Sequence, residues 1–173
     1  MENIIISIVS LALLIVGGMT MSQGFISTVD TSQSGWQHRD SREQSIMRTQ
    51  VSPLSAAYNR GQYILDVTLE NSGQTKLNDF SRWDVIIQYY DTSNNYQVKW
   101  LPYTAGTPGN NQWTVEGIYL NDAAEVFDIN ILNPGEQIKL RAKLSPQVKA
   151  GSTNVVIIAT PNGVAASAFF SGS

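Results

Sequence analysis

The chain is expected to fold as α+β: a long N-terminal hydrophobic α-helix followed by an antiparallel immunoglobulin-like β-sandwich. Three observations predict this. An uncharged apolar run opens the sequence, a helical stripe follows it, and from Gln62 onward the hydrophobic period changes from about 3.6 to 2. The division falls near Pro53, giving a helical segment over 1–52 and a sandwich domain over 53–173.

The opening run spans Ile4 to Met21 and carries only Ser7, Ser10 and Thr20 as polar side chains. Its length and apolarity are of membrane grade. A cleaved signal peptide and a simple anchor are the ordinary readings, but the flanks fit neither. Met1, Glu2 and Asn3 carry no Lys or Arg, and no small-x-small cleavage site precedes Thr20. The first positive charges are Arg39 and Arg42 on the far side. Removal of a short basic leader upstream, as in type IV pilin-like processing, would explain an apolar helix headed by an acid.

Beyond Met21 the apolar residues keep helical time. Phe25, Val29, Trp36 and Met47 fall on one narrow stripe at about 100° per residue. Such a stripe needs neighbours to bury it, and Gly17 and Gly18 would permit close helix approach. The residues expected to pack a filament core are Ile5, Ile8, Leu11, Leu14, Ile15, Gly17, Gly18, Phe25 and Val29.

In the second segment, Tyr63, Leu65, Val67 and Leu69 alternate with Ile64, Asp66, Thr68 and Glu70, the pattern of a half-buried strand. Similar runs occur at 82–90, 96–103, 113–120, 127–132, 136–144, 154–160 and 164–170. Turn-formers such as Asn-Pro-Gly and Pro-Asn-Gly separate them. Short strands at regular spacing predict a sandwich of seven or eight strands. Trp83, Trp100 and Trp113 read as core and edge packing.

Composition narrows the function. Lys and Arg number 11 against 14 Asp and Glu, a net charge of −3 that offers nucleic acid no basic footprint. With no cysteine, thiolate catalysis and thiolate metal sites are excluded. The one histidine, His38, stands in the helical segment beside Arg39 and Asp40. No triad, HExxH or phosphate-loop motif occurs, so no catalytic residue, cofactor or metal is expected and the chain is read as a non-enzyme. Asp91 with Asn94 and Asn95, or Asn121 with Asp122 and Glu125, carry oxygen ligands for calcium but match no loop of defined spacing.

The order of LALLIVGG (11–18), QGFISTVDTS (23–32), LDVTLENSGQTKLNDFSRWDVIIQY (65–89), LNPGEQIKL (132–140) and ATPNGVAASAFF (159–170) resembles the archaellin family, the subunits of the archaeal rotary swimming filament. That resemblance implies a subunit that polymerises with itself into an extracellular helical filament. It further implies partnership with the type IV filament secretion machinery and a prepilin peptidase, and residence in the membrane before assembly. The same helix-plus-sandwich plan occurs in archaeal adhesion pilins and in stator-like accessory proteins of the archaellum. A membrane-anchored binding domain is the rival from another class.

Overall fold

The computed structural model describes residues 2–172, with the side chains of 6–21 and 41–172. The chain divides into two compact units, Met1–Glu43 and Gln44–Ser173. The first is helical backbone, part of helix α1, which runs Glu2–Arg48. Its described apolar stretch is short, Ile6 to Met21, and every side chain in it is exposed.

This corrects the expected fold class. The protein is mainly an antiparallel β-sandwich, not an α+β fold led by a long hydrophobic helix. The physical reason lies in composition: past Met21 the sequence turns to Ser, Thr, Gln and charged residues, so helical backbone there is not apolar helix. Among the described residues no helix is long and apolar enough to cross a membrane.

Among the described residues the second unit contains nine strands: β1 Val51–Asn59, β2 Ile64–Asn71, β3 Asp84–Tyr90, β4 Tyr96–Leu101, β5 Gln112–Leu120, β6 Ala123–Ala124, β7 Gln137–Lys143, β8 Thr153–Ala159 and β9 Ala165–Ser171. They form one sheet in the order β1-β2-β7-β5-β6 and another in the order β4-β3-β8-β9. All the ladders are antiparallel. Strict alternation in β2, β3, β7 and β8 sends Leu65, Leu69, Ile87, Ile138 and Val156 into a common core where each is wholly buried. Trp113 is buried there as well, edge-on to Tyr103 at 5.0 Å between ring centres.

Two expectations about strands fail for identifiable reasons. Residues 127–132 alternate like a strand, but they form a loop whose Leu132 end bridges Leu77, accepts the Asn71 side-chain amide and is buried in the core, with no strand ladder. Glu125 Oε1 accepts the N–H groups of Val126 and Phe127 at 2.9 and 2.7 Å, so those donors are withdrawn from any ladder. Conversely β1 contains Pro53, which reads as a break. It is an edge strand whose register shifts between Pro53 and Ser55, and a proline is tolerated there.

The entry to β1 is pinned by backbone. Gln74 N–H donates to the Arg48 carbonyl at 2.8 Å and Gly73 N–H to that of Gln50 at 3.1 Å. A Cβ on Gly73 would sit 2.5 Å from Gln50 N and 2.7 Å from the Arg48 carbonyl oxygen, so only glycine fits. Asn162 Nδ2 donates to Thr49 Oγ1 at 2.8 Å, tying the β8–β9 turn to the same point.

Ile138→Ala removes a wholly buried side chain and is expected to cost about 2–5 kcal/mol, read as a lowered urea midpoint with unchanged slope. Gly73→Ala should also lower the midpoint, although it adds apolar area, because its clash is with backbone.

Candidate functional site

Among the described residues, the helix positions expected to pack a filament core are exposed. Ile8, Leu11, Leu14 and Ile15 are all exposed, Leu14 most of the four at 73%. A Cβ on Gly17 or Gly18 would touch nothing within 4 Å. Thr20 bonds back to the Val16 and Gly17 carbonyls at 3.1 and 3.0 Å, so its hydroxyl is satisfied locally. The side chains of Ile5, Phe25 and Val29, like His38, lie outside the described residues.

The oxygen-rich clusters are structural. Asp91, only 4% exposed, accepts the Ser93 and Asn95 N–H groups on Oδ1, both at 2.9 Å. Its Oδ2 accepts Asn95 Nδ2 at 3.3 Å and Gln97 Nε2 at 2.9 Å. These bonds, led by the Asn95 N–H, hold its carboxyl below the ordinary carboxylate range. Glu125 is lowered similarly, first by the Phe127 N–H. Both carboxylates are therefore occupied by donors, and among the described residues no three His, Cys, Asp or Glu side chains converge on one point.

Asp91 has a second effect. The turn it closes sets the β3–β4 register, pairing Val85 with Leu101, Ile87 with Lys99 and Tyr89 with Gln97. Val85, Ile87 and Tyr89 face the core, so Gln97, Lys99 and Leu101 share that side. Tyr96, Val98 and Trp100 consequently face outward, at 55, 58 and 59% exposure. The strand is inverted relative to its own hydrophobic pattern. Trp100 is thus not core packing, in contrast to Trp83 and Trp113, which are both buried.

Cross-strand neighbours extend this stripe into a face. Trp100 stands beside Ile86, which stands beside Ile157; Val155 pairs with the exposed Phe169 of β9. Tyr90 and Tyr96 rings lie 5.2 Å apart. The polar members hold the aromatics in place: Trp100 Nε1 donates to Asp84 Oδ1 at 2.9 Å and Tyr96 OH to Gln88 Oε1 at 2.8 Å. Exposed, hydrogen-bonded Trp and Tyr on a sheet face are what a protein interface uses as anchors.

The outer face of the other sheet has opposite chemistry. Lys139 bonds Glu116 at 2.9 Å, and Arg141 bonds Asp66 and Glu116 at 2.8 Å each. The bond to Glu116 raises the Lys139 amine, and the bond to Asp66 raises the Arg141 guanidinium. The charges neutralise one another locally, leaving the apolar face as the side with something to bury. Composition contains this signal only in part, since the residues are legible but their direction is set by the turn.

Because folding depresses the carboxyls of Asp91 and Glu125, their contribution is complete above the unfolded carboxylate range, near pH 4, and is lost as pH falls through the lowered native values. The melting temperature should therefore fall on acidification below about pH 4, with a smaller fall in Asp91→Asn, whose hairpin is already weakened at neutral pH. Thermal unfolding across that range checks both.

Comparison with known proteins gives this geometry a family. The chain is 24% identical over 170 residues to an uncharacterized protein of Archaeoglobus fulgidus, covering 98% of this chain and 95% of the relative. The archaellum periplasmic stator protein FlaG from Sulfolobus acidocaldarius shares the fold at a TM-score of 0.52 and 23% identity, over 70% of this chain and 99% of that one. The archaellum periplasmic stator protein complex FlaF and FlaG from the same organism matches with the same score, identity and share of this chain, and 89% of the matched chain. Residues 49–169 match the model of the conserved flagellar protein F, immunoglobulin-like domain. The archaellum connection read from the sequence therefore holds at the coarser level, with flagellar protein F and not the filament subunit as the match. The chain belongs to the flagellar protein F immunoglobulin-like domain family.

Proposed function

We propose that this chain is a stator-like accessory component of an archaellum and not an enzyme, working by docking another immunoglobulin-like sandwich onto the outer face of β4-β3-β8-β9. The observation that carries this reading is the inverted strand β4, which presents Tyr96, Val98 and Trp100 to solvent. Family membership supports the archaellum setting. The relative described as a complex of FlaF and FlaG supports a sandwich as the partner. A stator needs a rigid body that holds one neighbour firmly, and an apolar sheet face with anchored aromatics meets that need without chemistry. The proposed location is the cell envelope, outside the cytoplasm, where the relatives described as periplasmic stators work.

A second reading, an archaellin-like subunit polymerising through its helix, is favoured by the exposed run Ile6 to Met21. Each large side chain there would release about 1.5–3 kcal/mol on full burial, so this segment requires apolar company. Under the accessory reading that company is other archaellum parts, and under the filament reading it is copies of the same helix. The prepilin peptidase and the type IV secretion machinery belong to the filament reading.

Mass spectrometry of filaments sheared from producing cells separates the two. The accessory reading expects this chain to be absent or far below stoichiometric, and finding it as the bulk protein would overturn that reading. In the same cells, Val98→Lys with Trp100→Glu should impair swimming while leaving the melting temperature within about 2 °C, because both side chains are solvent-facing. Normal swimming by that double variant would remove the sheet face from the mechanism.

A further inference from the structure

Where β5 ends, two cavities of about 420 and 470 Å³ adjoin and share Phe80, Tyr103 and Asn130 in their walls. Their combined size suits a small ligand of a few rings. Tyr103 and Tyr119 contribute aromatic rings, while Asn78, Ser81 and Asn130 contribute neutral polar groups. Among the described residues, the side chains of Asn78, Ser81 and Asn130 and the hydroxyls of Tyr103 and Tyr119 make no hydrogen bond.

The groove wall is built by local geometry. The β5–β7 register shifts between Val115 and Gly117, and a Cβ on Gly117 would lie 3.1–3.3 Å from the hydroxyl and ring atoms of Tyr119. Tyr119 therefore lies across a glycine that leaves it room. Two of the three nearby carboxylates are already engaged. Glu116 holds Lys139 and Arg141, and Glu125 holds backbone N–H groups.

These facts select a ligand chemistry. A phosphate or carboxylate would meet Asp79, Glu116 and Glu125 and no Lys, Arg or His among the described lining residues. A purely apolar ligand would strand the amides and hydroxyls without partners. A peptide adding as a strand would need the β5 edge, whose end is taken by β6 at Tyr119 and Leu120 and by the Glu125 N–H on the Ile118 carbonyl. What fits is a molecule with apolar C–H faces for the rings and neutral hydroxyls for the amides. We propose that this groove binds a neutral oligosaccharide, with the Tyr103 and Tyr119 rings against the sugar faces and Asn78, Asn130 and the Tyr119 hydroxyl on its hydroxyls. The site is separate from the apolar sheet face and does not depend on it.

Saturation-transfer NMR on the full chain with maltotriose, mannotriose and chitotriose, each at millimolar concentration, tests it. Transfer to the ring C–H protons of at least one trisaccharide is expected. Asn130→Ala and Tyr119→Phe each remove one polar contact and should weaken that binding roughly three- to tenfold. Both leave the core intact, so their melting temperatures should match the parent. Gly117→Ala, which displaces the Tyr119 ring, should weaken it as well, whereas Trp100→Glu should leave it unchanged. No transfer from any of the three sugars would overturn the proposal. So would transfer unaltered in the Asn130→Ala, Tyr119→Phe double variant, or transfer abolished by Trp100→Glu.

Discussion

The carboxylate of Asp91 collects donors from Ser93, Asn95 and Gln97, and through them fixes how β4 lies against β3. Strand side chains alternate with a period of 2, so a slip of one residue would carry Tyr96, Val98 and Trp100 inward and turn Gln97, Lys99 and Leu101 out. On apolarity alone that slipped register looks attractive. The turn forbids it, because Gln97 must stay on the side where its amide reaches Asp91 and because the wholly buried Leu101 would lose its place. The outer sheet surface is thus a consequence of hairpin chemistry, and an apolar stripe stands in water because a buried carboxylate holds it there.

The two outer faces of the sandwich then divide the work. On β2, β5 and β7, Asp66, Glu116, Lys139 and Arg141 form a network with side chains about one-third exposed. Exposed pairs of this kind contribute only about 0–1 kcal/mol each, so stability is not their main consequence. Their consequence is that this face has satisfied its charges and gains little by being covered. The β4-β3-β8-β9 face has few charges and several ordered aromatic and aliphatic side chains, so covering it releases free energy. A body with one indifferent face and one cohesive face meets a partner in a defined orientation.

Most of the sandwich was legible because β2, β3, β7 and β8 alternate cleanly and the turns between them carry Gly, Pro and Asn. The failures have local causes. Residues 127–132 alternate as well as any strand, yet Glu125 takes the donors that a ladder needs. Pro53 argues against a strand unless the strand is known to lie at an edge, and edge position is a property of the whole sheet. The expectation of a long hydrophobic helix joined an apolar run to an amphipathic stretch, and only the first of these is apolar, since the residues between the later stripe positions are polar. For the candidate site, Tyr96, Val98 and Trp100 were visible as a run. Their outward direction was not, because it depends on a pairing register that no single strand contains.

The edges of the four-stranded sheet decide what kind of association the face can support. A free strand edge invites further strands, and such contacts propagate. Here β9 lies against β1, and β4 carries the half-buried Lys99 on its core side, opposite the wholly buried Ile87. An inward-pointing cation on an edge strand penalises an incoming strand, since pairing there would bury the amine more deeply. With edge addition penalised, the apolar area is open to contact only face-on. A face-on contact between two sandwiches closes after one partner has bound. That is the behaviour a stator-like accessory protein requires, because it must grip one neighbour without growing into a fibre.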